Sequence, residues 1–130
     1  MTIANWCIVA ACVLPVLTAG LAKASTARRS RKEGGYDNRQ PREWASHQTG
    51  WRARAVAAQN NGFEALPLFI AAVVLAQQSH AEQGRIDTLA MLFIAIRLAY
   101  VAAYLANQGT LRSLIWGAGL VTSIAILAMA

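Results

Sequence analysis

The sequence predicts an all-α integral membrane protein, a bundle of four transmembrane helices. Three observations carry that reading. Of 130 residues, 56% are hydrophobic and only 14% are charged, against about 25% charged in an ordinary soluble domain. A chain this short cannot hide so much apolar surface in a water-facing fold. The apolar residues also gather in four long runs, separated by one long and two short polar connectors.

The first span covers residues 2–22. Thr2 to Ala22 carries no charge, and about 21 residues make roughly 31 Å of helix, enough for a hydrocarbon core of about 30 Å. Pro15 is a potential kink. A cleavable signal peptide is the competing reading, because "LAKAS" (21–25) resembles a small-residue cleavage site. No Lys or Arg precedes the run, however, and it exceeds the usual apolar length of about 7–15 residues. Cys7 and Cys12 fall on different faces of this helix and show no metal or redox spacing, so they read as small buried residues.

The first connector, 23–51, is polar and basic. Seven of the twelve Lys and Arg lie between Lys23 and Arg42. Apolar runs flank this cluster on both sides, which argues against a nucleic-acid partner. It reads as a loop beside anionic lipid, where each nearby Lys or Arg contributes about 1 kcal/mol. Gly34-Gly35 and Pro41 argue against one long helix here. Arg28 to Lys32 is expected to be a mobile basic segment and Tyr36 to Trp51 a more ordered one.

The remaining spans cover 52–78, 86–106 and 111–130, joined by the turns "SHAEQGR" (79–85) and "NQGT" (107–110). Short turns make sequential helices antiparallel neighbours. The positive-inside rule then puts the basic 23–51 loop in the cytoplasm and both termini on the opposite side. Trp44, Trp51 and Trp116 fall near the expected membrane boundaries, where indole rings favour the headgroup level. His47 and His80 lie in connectors without partners at metal-ligand spacing, and no metal is expected.

Polar residues inside the spans point to function. At 100° per residue, Arg54, Ala57, Asn61 and Glu64 fall within about 80° of one another on the second span. On the third, Arg97, Tyr100 and Tyr104 fall within about 60°. Glu64 and Arg97 lie at similar depth on antiparallel neighbours. Each alone would cost about 2.5–3.5 kcal/mol at a helix centre, so a buried Glu64–Arg97 ion pair is expected. Arg54, Asn61, Tyr100, Tyr104 and Arg112 all lie on its cytoplasmic side. Together they outline a polar cleft with a basic rim, suited to a small anionic ligand. The alternative is a set of polar contacts that only fixes helix packing.

"RARAVAAQNNGFEALPLF" (52–69) and "RLAYVAAYLANQGTLRSLIW" (97–116) resemble the MAPEG family, membrane-associated proteins in eicosanoid and glutathione metabolism. "YDNRQPREW" (36–44) and "GWRARA" (50–55) resemble its bacterial branch. The paired motifs are Asn61, Glu64 and Pro67 with Arg97, Tyr100 and Tyr104. The resemblance implies a homotrimer of four-helix protomers in a bacterial inner membrane, with glutathione as co-substrate bound between protomers in the cytoplasmic half. It implies a ligand set of Gln59, Asn61, Glu64, Arg97, Tyr100 and Tyr104, to which the helical face adds Arg54. Gln59 points about 140° from Arg54 and would face a different protomer or none.

Two departures stand out. The eicosanoid branch has an arginine four residues before the Asn, where this chain has Ala57. That branch also has its thiol-activating arginine seven residues after the second Tyr; here Arg112 follows Tyr104 by eight. Arg112 is nevertheless the expected catalytic residue. A free thiol has a pKa near 8.5, only the thiolate is a good nucleophile, and a neighbouring guanidinium raises the thiolate fraction. The implied activity is a glutathione transferase or peroxidase acting on lipophilic electrophiles or hydroperoxides. A non-catalytic membrane protein of the same fold is the second reading. A small transporter is disfavoured because no inverted repeat is visible.

Overall fold

The computed structural model describes residues 1–130. Five α-helices follow one another: α1 (Ile3–Thr26), α2 (Pro41–Ser46), α3 (Gly50–Gln78), α4 (Gln83–Leu105) and α5 (Gly109–Leu127). The four long helices coincide with the four runs, and their ends differ by a few residues. Hydropathy marks where lipid would begin, whereas a helix ends where its caps are. Thus α1 continues past Ala22 to Thr26, and α5 stops at Leu127. Both short turns hold one non-glycine residue in the left-handed region, His80 (φ 59°) and Asn107 (φ 60°). Asn accepts that conformation readily.

α1, α4 and α5 are long and apolar enough to cross a membrane. α3 is not among them, although it is the longest helix at 29 residues. Its first half carries Arg52, Arg54, Gln59, Asn60, Asn61 and Glu64. Three of the four expected spans thus have the length and apolarity of a membrane crossing, and the remaining run forms a long helix that is polar in its first half.

α1 packs against α3 and α4; α5 packs against α3 and α4 from the other flank. The main core joins Ala4, Cys7 and Ala11 of α1 to Phe69, Ala72, Val73 and Ala76 of α3, with Ile86, Ala90 and Phe93 of α4 and Ile126 of α5. Small residues dominate it, which lets helix backbones approach as membrane helices do. Phe69 and Phe93 stack with ring centroids 4.0 Å apart. Large apolar side chains point outward, among them Val16, Leu17 and Leu21 on α1 and Leu114, Val121 and Ile124 on α5. Such a continuous apolar exterior suits lipid.

One contact sets the α1–α3 distance. A Cβ built on Gly62 would lie 2.6 Å from Cγ of Pro15, so any side chain there forces Pro15 to shift. Pro15 thus serves packing within an α1 that remains one helix from Ile3 to Thr26.

The N-terminus of α1 is held by α4. Oδ1 of Asp87 accepts hydrogen bonds from the Ala4 amide (2.8 Å) and from Nε2 of Gln83 (2.7 Å). Nε2 of Gln77 donates to Oγ1 of Thr2 (3.0 Å), which also accepts from the Asn5 amide. A carboxylate there satisfies an orphan amide and complements the helix dipole.

The 23–51 connector is pinned to the bundle. Trp44 of α2 is buried against Ala22 and Ala55, edge-on to Tyr36 at 5.3 Å, and Nζ of Lys23 sits 4.9 Å from the Tyr36 ring centre. Trp44, one of the three indoles expected near the headgroup level, packs into protein. Trp51 and Trp116 are exposed. Within the segment expected to be mobile, Arg31–Glu33 forms one turn of 3-10 helix and Arg31 pairs with Asp37 at 3.7 Å. His47 and His80 are exposed, Cys7 is buried and Cys12 is half-buried, both thiols unpaired.

Candidate functional site

Each of three helices contributes one stripe. On α3 the stripe is Ala57, Asn60, Asn61 and Glu64; on α4 it is Tyr100 and Tyr104; on α5 it is Arg112, Ser113 and Trp116. Spacings of three and four residues put each set on one helical face. The stripes enclose an open cavity of about 400 Å³. A second cavity of about 170 Å³ adjoins it and shares Asn61, Glu64 and Trp116. Its remaining wall is Arg97 with mostly apolar neighbours, including Leu68, Phe93 and Leu120.

Arg97 is 5% exposed. Its Nη2 donates to Oδ1 of Asn61 at 3.0 Å, and Nδ2 of Asn61 lies 3.5 Å from Oε2 of Glu64, at the limit of a hydrogen bond. The expected direct Glu64–Arg97 ion pair is therefore corrected. The chain's ion pairs are Arg31–Asp37 and Arg85–Glu82, and Asn61 stands between Glu64 and Arg97. Asn61 lies one turn before Glu64 and takes the guanidinium first, which leaves Glu64 exposed at the cavity. A guanidinium has five N–H donors. One is bonded to Asn61, and the unbonded nitrogens of Arg97 are not sealed in the core. They are free to meet a ligand.

An aromatic and cationic ladder runs along the wall. The Arg97 guanidinium carbon is 4.2 Å from the Tyr100 ring centre. Tyr100 and Tyr104 meet edge to face at 5.7 Å, and the Arg112 guanidinium carbon is 4.4 Å from the Tyr104 ring centre. Cation–π contacts contribute about 0.5–1 kcal/mol at exposed sites and about 2 kcal/mol when desolvated, so the rings help to hold the buried Arg97 and the half-buried Arg112 without a carboxylate partner. The two adjoining cavities share one anion, Glu64, with the cation Arg112 on the wall of the larger and Arg97 on that of the smaller.

Asn61, Glu64, Arg97, Tyr100, Tyr104 and Arg112 are thus brought together. Arg54 and Gln59 are not part of either wall. Arg54 donates to the Leu105 carbonyl from Nη2 (3.2 Å) and Nε (3.4 Å), holding the last turn of α4. Gln59 is half-buried elsewhere on α3. Sequence reasoning missed Asn60, Ser113 and, as a lining residue, Trp116. The last two carried a usable signal, since Ser113 adjoins Arg112 and Trp116 lies one turn on. Asp87, which holds α1, was also passed over; its acid sits at the edge of a span, where a charge is ordinary.

A search of the curated proteins and of the solved structures finds no match. The model of the MAPEG family matches residues 3–130, essentially the whole chain. The match covers α1 to α5 and so includes every residue of the cavity wall. This chain is a member of the MAPEG family.

Proposed function

We propose that the protein is a glutathione-dependent transferase or peroxidase that takes lipophilic electrophiles or hydroperoxides from the membrane. The observation that carries this reading is the buried Arg97, bonded to Asn61 and stacked on Tyr100, on the wall of a cavity that shares Glu64 with the adjoining cavity of Arg112. Such a wall offers donors to carboxylates and an acceptor to an ammonium group, which are the charged groups of glutathione. Arg112 acts on the thiol. Its cation favours the thiolate, which attacks the electrophile. With an aryl chloride, sulfur forms a C–S bond, chloride leaves with the C–Cl electron pair, and the thiol proton passes to water.

The reading extends to assembly and placement. Three protomers form the active unit, and Gln59 completes the site from a neighbouring protomer. α3 crosses the membrane shielded by the other helices, and the basic 23–51 loop lies in the cytoplasm with both termini opposite.

One observation favours a second reading, a non-catalytic protein of this fold or one that binds another anion. Ala57 lines the cavity where a cation would assist a glutathione carboxylate, and Arg54 is occupied at Leu105. Titration calorimetry of glutathione into the detergent-purified chain decides between them. The first reading expects saturable binding that Glu64→Ala weakens, together with turnover of 1-chloro-2,4-dinitrobenzene. A dissociation constant weaker than about 10 mM would favour the second.

A further inference from the structure

The smaller cavity has a different character from the larger one and a different consequence. It adjoins the shared residues Asn61, Glu64 and Trp116 and is bounded by Ala65 and Leu68 of α3, Phe93 and Arg97 of α4 and Gly119, Leu120 and Ser123 of α5, so its wall is mostly apolar with Arg97 and Ser123 as its own polar groups. Its volume is about 170 Å³. An apolar cavity of about 150 Å³ accepts one benzene ring. We infer that this cavity receives the apolar part of the second substrate, that its size selects a single-ring or short-chain group, and that Gly119 is the residue that sets that size. The inference rests on the proposed function for the identity of the polar partner, but the cavity itself does not.

Three features support it. The continuity of the two cavities through Asn61, Glu64 and Trp116 gives an amphipathic ligand one path, its polar part at Asn61, Glu64 and Arg97 and its apolar part against Leu68, Phe93 and Leu120. Phe93 is fixed by its stack on Phe69 at 4.0 Å, so that wall does not yield to a longer chain. Gly119 is buried, and a Cβ there would project toward Ile96 Cγ2 at 3.4 Å and Phe93 Cε2 at 3.9 Å. Those are close to ordinary contact distances, so a side chain at 119 is tolerated by the fold while taking volume from the cavity. Glycine inside a helix otherwise loses about 1 kcal/mol to alanine. The space it opens is a physical reason for it here.

The test uses the full chain in detergent. Nitrobenzene quenches tryptophan fluorescence, and subtracting the signal of Trp116→Phe isolates the Trp116 contribution. The expected result is saturable quenching of Trp116 that Gly119→Val weakens about 10–100-fold and Gly119→Ala weakens less. Gly119→Ala keeps the test informative if the valine variant misfolds. Quenching that never saturates, or that is unchanged in both variants, overturns the proposal; a lipid chain or a second protomer filling the cavity would give that result. A second arm compares S-methyl, S-hexyl and S-dodecyl glutathione. Affinity should rise from methyl to hexyl in the parent and gain nothing further with dodecyl. A steady rise through dodecyl that Gly119→Val does not alter would place the tail in lipid and likewise overturn it. If no glutathione derivative binds yet Trp116 quenching saturates, the glutathione reading falls and the apolar pocket stands.

Discussion

Arg97 reaches Glu64 only through Asn61: the guanidinium donates to the amide oxygen at 3.0 Å, and the amide nitrogen lies 3.5 Å from the carboxylate. The coupling energies should follow that order. Double-mutant cycles in detergent should give Asn61 and Arg97 a coupling of about 0.5–3 kcal/mol, the range for residues in contact. Glu64 and Arg97 should couple by less than that. Asn61→Ala alone should cost about 1–3 kcal/mol by stripping a buried donor of its acceptor. Equal or larger coupling between Glu64 and Arg97 would restore the direct ion pair.

The Gly62–Pro15 contact predicts a suppressor. Gly62→Ala should cost about 1–3 kcal/mol through overpacking, because the new methyl meets Pro15 Cγ at 2.6 Å. Pro15→Ala removes that atom and should recover part of the loss in the double variant. Thermal melts of the three variants are the measurement; additive losses would contradict it.

Asp87 should stabilise the start of α1. Asp87→Ala loses the acceptor for the Ala4 amide and should cost about 0.5–2 kcal/mol, as for other N-terminal caps. Asp87→Asn keeps an acceptor without the charge and should fall between. Amide hydrogen exchange at residues 4–6 reports this locally and should quicken in that order.

Arg112 makes a kinetic prediction. If its cation holds the glutathione thiol below the usual value of about 8.5, the conjugation rate should level off below that pH in the parent. Arg112→Ala should move the inflection up toward about 8.5 and lower the rate at neutral pH. Arg112→Lys should recover part of both. An unchanged pH profile in Arg112→Ala would remove the residue from the mechanism.

The helical faces were legible in advance because they depend on a period of 3.6 residues and nothing else. That is why Arg97, Tyr100 and Tyr104 could be put on one side of α4, and Asn61 with Glu64 on one side of α3, before any packing was known. Resemblance added Gln59, which lies off this chain's own cavity.

Partners were another matter. Arg54 lies on the same face as Asn61, yet it is drawn to the Leu105 carbonyl at the end of α4, an acceptor that exists only once two helices meet. Trp44 looked interfacial by position, but α2 turns its ring onto Ala22 and Ala55. Asp87 had no visible purpose until α1 arrived with its free amide.

By itself, then, the amino-acid order determined that the protein is helical and lipid-borne, and which residues share each helix face, because apolar content and helical period are local properties. Which polar group meets which was decided only in three dimensions. Rotation and spacing of packed helices determine whether Arg97 meets an amide or an acid.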